Sequence, residues 1–454
     1  MNASYPASIL KTAKTFTDNG FEIYLVGGAA RDIIMNRKIN DWDFTTNATP
    51  EEMLKIFPKN SFYNNRFGTV GVVVEEKEIV EITTFRKELN YADKRHPEKV
   101  SWGKTIKDDL SRRDFTINAI AVKLSFKNNN LIEEIFDPFK GQADIKHKRI
   151  IAVGDPNERF SEDALRMMRA IRIASQIGFD IEDKTFASIA TNSNLIKKIS
   201  WERIRDELFK ILVSPNPDQG ICLLFSSKLL SHILPELIPA RGVEQAKHHI
   251  DDVWTHCVKS LKHAPSKDPV VKLASLIHDV GKPTVAKGEG EERTFFNHEI
   301  AGGKIANEIG IRLKLSKKDL IRLRKLVRWH QFSVDEKQTD KALRRFIRHV
   351  GKENLNDVLK VRTGDRLGSG VRKTSWRTDL FKKRLVEVQK QPFSIKDLNI
   401  NGKDIMKALD LPPGPKIGQI LSKLFEQVEN DKSLNDRKKL LKKAREFEKE
   451  NKSC

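Results

Sequence analysis

Within Tyr24 to Thr46, YLVGGAARDIIMNRKINDWDFTT, a glycine pair and two aspartates stand at a spacing that suits metal and phosphate chemistry. Asp41 and Asp43, at i and i+2, share a face if the segment is a strand, because strand side chains alternate with a period of two. A pair so placed can hold one or two Mg²⁺ ions. Gly27-Gly28 follows an apolar run, Tyr24-Leu25-Val26, and precedes a helix-like segment beginning near Ala29 that carries Arg31-Asp32. Glycines there let backbone N–H groups approach a triphosphate closely, and the helix would present its positive end to it. The plain alternative is a strand-to-helix turn followed by two solvated turn residues. Either motif alone favours that alternative, whereas the two together, about a dozen residues apart, favour the metal and triphosphate reading.

Further along the chain, other residues offer what such a site needs. Glu81 lies in an alternating run from Glu78 to Phe85 that could stand beside Asp41 and Asp43 as a third carboxylate; a charged edge residue is the other reading. Arg112, Arg113 and Asp114, in DLSRRDFTINA, precede a regular helix or strand. Arginine pairs suit phosphates and an aspartate suits a ribose hydroxyl, although the same three could form a local ion-pair network. In ERFSEDALRMMRAIRIASQIGF, Asp163, Arg166, Arg169 and Arg172 recur every three residues on one helix face, opposite Leu165, Met168, Ile171 and Ile173. By spacing alone that stripe reads as a solvated face, with Ser161 as the helix start.

The elements that must position these residues are mixed. Residues 1 to about 140 read as α/β: a helix near Ala7 to Asn19, the opening strand, a helix starting at Thr49-Pro50, then strands at Thr69 to Glu75 and Glu78 to Phe85. Arg86 to Asp108 is polar and without helical or strand period, and so reads as a long functional loop. From about Pro156 the pattern turns helical. At 454 residues the chain exceeds one ordinary core. Its formal net charge is +21, from 83 Lys and Arg against 62 Asp and Glu, which attracts a polyanion, most simply nucleic acid. No apolar run reaches membrane-spanning length and no signal peptide is evident, so a cytoplasmic protein with no membrane association is the default. The three cysteines, Cys222, Cys257 and Cys454, form no CxxC pair and support neither a disulfide framework nor a thiolate zinc site.

GGAARD, the Asp41-Trp42-Asp43 pair, TTFR (83–86), SRRDFTINA (111–119), DPFKGQADI (137–145), SEDALRMMRAIRIA (161–174) and ERIRDELFKIL (202–212) together resemble, in order, the bacterial class II tRNA nucleotidyltransferases, the CCA-adding enzymes. The resemblance implies an α+β multidomain fold: a polymerase β-like mixed sheet with helices, then an all-α neck and body, an all-α HD domain and a helical tail. It implies that Asp41 and Asp43 bind the catalytic Mg²⁺ and that Gly27 and Gly28 cradle the triphosphate. Arg112, Arg113 and Asp114 would hold the ribose and phosphates, with Arg31, Asn118, Arg169 and Arg172 completing the nucleotide site. Asp163 and Arg166, from the family's EDxxR motif, would hydrogen-bond the Watson–Crick edge of CTP or ATP, so that protein side chains act as template. NNRFGTVGVV (64–74) looks like the CCA-adding rather than the poly(A) form, and YADKRHP (91–97) retains the loop that CC-adding relatives lack, with His96 in place of a second arginine. Full CCA addition to tRNA is therefore expected; A-only addition or a poly(A) polymerase is the alternative.

A second constellation follows Val243: His256, His278-Asp279 and Asp365, joined by His298 and His330. Histidine and carboxylate together offer N and O ligands to a divalent metal. In this order they resemble an HD-domain metal-dependent phosphohydrolase, which raises the competing possibility of an HD hydrolase with an RNA-binding N-terminal half. The expected domains are 1–145, the catalytic head; 146–245, the neck and body with the base-selecting helix; 246–390, the HD domain; and 391–454, a basic helical tail for tRNA.

Overall fold

The computed structural model describes residues 5–39, 41–63, 68–74, 79–91, 97–102, 105–245, 251–332, 334–389 and 395–450. The chain forms two compact units: Met1–Arg241 with Lys267–Pro269 and Ile309–Ser316, and Gly242–Ser266 with Val270–Glu308 and Lys317–Cys454.

The first unit is built on the apolar run ahead of the glycine pair. Ile23–Val26 (β1) lies between Asp43–Thr46 (β2) and a later strand, and all four of its residues are buried. Ile23 and Leu25 face one core with Ile9, Ala13 and Phe16 of the amphipathic helix Ala7–Asp18 (α1), while Tyr24 and Val26 face a second core with Phe85, Leu110 and Ala121. A strand covered on both faces reads as an unbroken apolar run rather than an alternating one. Each fully buried side chain of this kind contributes roughly 1.5–3 kcal/mol.

After β1 come the helix Gly27–Ile34 (α2) and the helix Pro50–Ile56 (α3), the latter started by a Thr49–Glu52 capping box. Ser61–Tyr63 (β3), Thr69–Val73 (β4), Ile79–Thr84 (β5), Arg86–Tyr91 (β6), Pro97–Trp102 (β7), Ala121–Lys127 (β8) and Asn130–Phe136 (β9) follow. Seven strands form one mixed sheet in the order β3-β4-β5-β2-β1-β8-β9, as expected of the head. Its one parallel pair, β2 with β5, aligns Asp43 with Glu81.

Three local expectations need correction. Asp41 is not on a strand: β2 begins at Asp43, level with the end of β1, which turns into α2 at Gly27. Arg86 to Asp108 is not an irregular loop; β6 and β7 form an antiparallel hairpin and Ile106–Ser111 (α4) follows, capped by Thr105 and Asp108. The hairpin's sequence opens with adjacent charges, Arg86-Lys87-Glu88 and Glu98-Lys99, and its apolar alternation is confined to Leu89 and Tyr91 on one strand and Val100 and Trp102 on the other, too short a pattern to mark it. Most of YADKRHP and the NNRF segment lie outside the described residues. Finally, Ser161 starts no helix. It sits inside Pro156–Glu162, whose cap is Asp155, and a second helix runs from Leu165 to Ile177.

The second unit is helical among the described residues. Val253–His263, Pro269–Ile277, Lys317–Arg328 and Leu355–Gly368 carry or flank the histidines and aspartates noted above. Gly402–Leu409, Pro415–Asn430 and Arg437–Glu450 close around their own core of Ile405, Ile420, Leu424, Leu440 and Ala444. No helix among the described residues is long and apolar enough to cross a membrane.

Candidate active site

At the C-terminal end of β1 the chain passes straight from strand to helix: α2 begins at Gly27 itself, two residues before the expected start. Gly27 has φ +66°, a conformation that costs a residue with a Cβ. A Cβ there would also stand 3.2 Å from Arg113 Nη1 and 3.6 Å from Asp43 Oδ2. The backbone therefore forms the floor between a cation and a carboxylate, with the unpaired N–H groups of a first helical turn beside it.

A cleft of about 340 Å³ opens over that floor. It brings together Gly27, Gly28, Asp43, Glu81, Arg112, Arg113, Asp114, Asn118, Asp163, Arg166 and Arg169. An adjoining cavity of about 400 Å³ shares Gly28, Asp43, Asn118 and Arg169 with it and adds Asp41, Arg31 and Arg172. Every head and neck residue singled out by the sequence lines one or the other.

Partial burial raises the Asp43 carboxyl above its ordinary range; Arg113 opposes this, and the like charges of Glu81 and Asp41 reinforce it. Crowded carboxylates are a suitable donor set for a divalent cation with oxygen ligands, so the residues present fit Mg²⁺.

The two arginines are not a free pair. Asp109, fully buried on α4, accepts from Arg112 Nε and Nη2 at 3.1 and 2.7 Å through one oxygen, and from Arg113 Nε and Nη2 at 3.3 and 2.9 Å through the other. Burial alone would raise this carboxyl, but the two guanidiniums override it and hold the pKa at about 2. The regular helix therefore precedes Arg112 and Arg113, and a single 3₁₀ turn, Thr116–Asn118, follows them.

Asp114 is also buried and internally satisfied. Its Oδ1 accepts from the Phe115 N–H and from Asn118 Nδ2, and its Oδ2 accepts from Arg169 Nε at 2.7 Å. Burial raises its carboxyl, and Arg169 with Arg166 more than reverses that, to about 2. Asn118 Oδ1 in turn accepts from Arg31 Nη1 at 3.1 Å. Arg31, Asn118, Asp114 and Arg169 thus form one hydrogen-bonded chain along the cleft wall.

Asp163 occupies the break between the two helices, with extended φ −142° and ψ 104°. Its Oδ1 accepts the Leu165 N–H at 3.0 Å, which starts the second helix, and its Oδ2 accepts from Arg203 Nη2 at 2.7 Å. Arg166 pairs with Glu162 and donates to the carbonyls of Arg159 and Arg112. Arg172 donates to Glu207 Oε2 at 2.7 Å. The arginine stripe is therefore a cleft wall braced by a neighbouring helix, Trp201–Leu212, not a solvated face.

Asp109, Arg203 and Glu207 were missed by sequence reasoning. The i+3 and i+4 spacing of Asp109 to Arg112 and Arg113 was a readable signal. For Arg203 and Glu207 nothing local points to partners 40 and 35 residues away.

In the second unit, His256, His278, Asp279 and Asp365 converge as the order of motifs implied. His256 Nε2 lies 3.0 Å from His278 Nε2, 3.4 Å from Asp279 Oδ2 and 3.3 Å from Asp365 Oδ1. Burial would raise the Asp279 carboxyl, but His278 and Lys282 hold it well below the usual range. A cavity of about 1100 Å³ opens from this cluster, lined in part by Lys282, Arg293, Arg362 and Arg366.

Comparison with known proteins identifies the family. Residues 23–151 match the Poly A polymerase head domain, 178–241 a model for an RNA and SrmB-binding site of polymerase A, and 301–444 tRNA nucleotidyltransferase domain 2. The chain is 32% identical to the CCA-adding enzyme of Pediococcus pentosaceus over 95% of its own length and 96% of that protein's. It is likewise 32% identical to the CCA-adding enzyme of Lactococcus lactis subsp. cremoris, over 95% of each. Among solved structures, the Bacillus stearothermophilus CCA-adding enzyme in complex with CTP superposes with a TM-score of 0.72 at 26% identity, covering 98% of both chains. Full-length similarity at this level places the protein: it belongs to the family of CCA-adding enzymes, the class II tRNA nucleotidyltransferases.

Proposed function

We propose that this chain adds CCA to the 3′ end of tRNA, in the cytoplasm, using CTP and ATP and releasing pyrophosphate. The observation that carries the reading is the convergence, in one cleft, of a carboxylate cluster, a backbone anion floor and a polar edge able to read a base. In the reaction the tRNA 3′-hydroxyl attacks the α-phosphate and the pyrophosphate departs in line. Asp41, Asp43 and Glu81 would hold Mg²⁺, which when bound lowers the hydroxyl's pKa and neutralises the departing phosphates. The Gly27 and Gly28 N–H groups with Arg112 and Arg113 bind the triphosphate. Asp109 orients both guanidiniums before the nucleotide arrives, so little ordering is left to be done on binding. Asp163 and Arg166 present an acceptor and a donor to the base edge, and Asp114, with Asn118, Arg31 and Arg169, stiffens the wall beside the sugar.

The four-part division into head, neck and body, HD domain and tail is retained as part of this proposal. Exposed Lys438, Lys439 and Lys442 on the last helix, opposite buried Leu440 and Ala444, suit phosphate contacts that position tRNA without reading its sequence. The test is purified protein with tRNA lacking its 3′ end and labelled CTP and ATP, read by product length. Addition of three nucleotides supports the reading; one A only, or a long A tail, selects the alternatives, and no incorporation rejects it.

A second activity is favoured by one observation, the His256, His278, Asp279 and Asp365 cluster at the base of a basic cavity. We read this as an HD metal site with phosphohydrolase activity. Hydrolysis of a chromogenic phosphate ester that disappears in His278→Ala, with nucleotide addition unchanged, supports it.

A further inference from the structure

A second cavity in the helical unit shares no lining residue with the one that opens from the histidine cluster. Its volume is about 610 Å³, a size that suits one small ligand. Two helices and an aromatic stack build it. On His298–Arg312, Ile300, Gly303, Lys304, Asn307 and Glu308 recur at helical spacing and share one face, while Ala306 and Ile309 are buried. Lys317–Arg328 forms the other wall with Arg324, Lys325 and Arg328.

Gly303 lets the walls approach: a Cβ there would stand 3.2 Å from Arg328 Cβ and 3.6 Å from its Cδ. The Arg328 side chain passes close to the glycine and sets its guanidinium 4.5 Å from the Trp329 ring centre. Trp329 in turn stacks on His349 of Asp340–Val350, with centroids 4.7 Å apart and planes 17° from parallel. His349 is exposed, so the stack ends at the cavity in an imidazole open to a further ring.

The polar groups around this stack are largely uncommitted. Four cations line the cavity against one carboxylate, Glu308. Among the described residues, Lys304, Arg324 and the Asn307 amide make no side-chain hydrogen bond or ion pair. Lys325 stands 3.9 Å from Glu353, and Arg328 meets Glu299 at 3.4 Å. Cations gathered in this way repel one another and favour an anion between them.

A ligand that answers all of these groups is planar, aromatic and anionic. Its ring extends the Trp329–His349 stack and its phosphate takes Lys304 and Arg324. Its base edge meets the Asn307 amide, which both donates and accepts, and Glu308 accepts from a sugar hydroxyl. A nucleotide carries these groups together. An acidic peptide brings the charge without a base edge, and a lipid headgroup brings phosphate without a ring.

We infer that this cavity binds a single unpaired nucleotide, free or within an RNA strand, at a site distinct from the nucleotide site of the head and from the HD cavity. The inference rests on neither of those readings, since its residues belong to neither site.

The test measures binding, not turnover. Full-length protein with saturating CTP and Mg²⁺, which occupy the head, is dialysed against labelled AMP. Separately, its affinity for tRNA lacking the 3′ end is measured by filter binding. Lys304→Gln/Arg324→Gln removes the phosphate contacts and His349→Ala the end of the stack; all three residues are exposed, so both variants should keep the parent's Tm. A free-nucleotide site binds AMP in the parent and at least about tenfold more weakly in each variant. A site for an RNA nucleotide instead shows tRNA bound at least about threefold more weakly by each variant, with no AMP binding that they alter. Unchanged affinity for both probes in His349→Ala overturns the inference, because a loss confined to the lysine and arginine variant marks a general basic patch. Amide exchange in the unsubstituted protein is a readout that needs no variant: AMP or tRNA should slow it in 300–308 and 324–350. Exchange there unaltered by both probes overturns the inference whatever the variants do.

Discussion

Asp109→Asn removes one negative charge from beneath two arginines while keeping the side chain's shape. In the native protein this carboxylate is fully buried and takes four hydrogen bonds at 2.7–3.3 Å. Removing one partner of a buried ion pair typically costs about 3–5 kcal/mol, and the partial exposure of both guanidiniums lets them rehydrate, so about 2–3 kcal/mol is expected here. For a unit of this size that lowers Tm by roughly 5–10 °C. CTP and ATP should bind at least about tenfold more weakly, because charge-assisted bonds worth about 1.5–3 kcal/mol each lose their alignment. The pH dependence gives an independent check. The folded pKa of about 2 lies below the unfolded value near 3.8, so Asp109's contribution is full above about pH 4 and is lost as pH falls through about 2. Chemical denaturation between pH 5 and 3 should show a shallower loss of stability in Asp109→Asn than in the parent. The reasoning is refuted if the variant matches the parent in Tm, in triphosphate KM and in that pH slope.

Other expectations concern the cleft and the last helix. Asp43→Asn should reduce nucleotide addition at least about a thousandfold while tRNA affinity, measured by filter binding, stays within about twofold. Gly27→Ala, strained at φ +66° and crowding Arg113, should cost about 1 kcal/mol in stability and raise the triphosphate KM more than the tRNA KM. Arg203→Ala releases Asp163 Oδ2 and should narrow the CTP-to-ATP preference more than it weakens triphosphate binding; an unchanged preference would remove Arg203 from base selection. Lys438→Gln with Lys439→Gln and Lys442→Gln should weaken tRNA binding at low salt and reduce the slope of log affinity against log salt by about 2–3.

The parts of the fold that repeat within a few residues were legible in the chain. Thr49-Pro50 marked a helix start and Tyr24-Leu25-Val26 a strand, and alternation allowed Glu81 to stand beside Asp43, although only the sheet's register placed it there. Where local signals were weak or competing, reading failed. The hairpin Arg86–Trp102 has too short an apolar alternation, and Ser161 resembled a cap although Asp155 and Asp163 set the real helix ends. The residues that brace the site were harder still, since Arg203 and Glu207 reach Asp163 and Arg172 from a separate helix.

By itself the sequence determined which chemical groups are present and in what order, because residue type sets charge, donor count and metal preference. That was enough to single out, as candidates, two carboxylates, an arginine pair, Asp163 with Arg166, and a later set of histidines and aspartates. Only the tertiary structure decided what those groups do to one another. It put Asp109 beneath both arginines, engaged Asp114 in the wall, and gathered His256, His278, Asp279 and Asp365 into one buried cluster. The physical reason is that hydrogen bonds and ion pairs act over about 3 Å in space, whereas the sequence reports only separation along the chain.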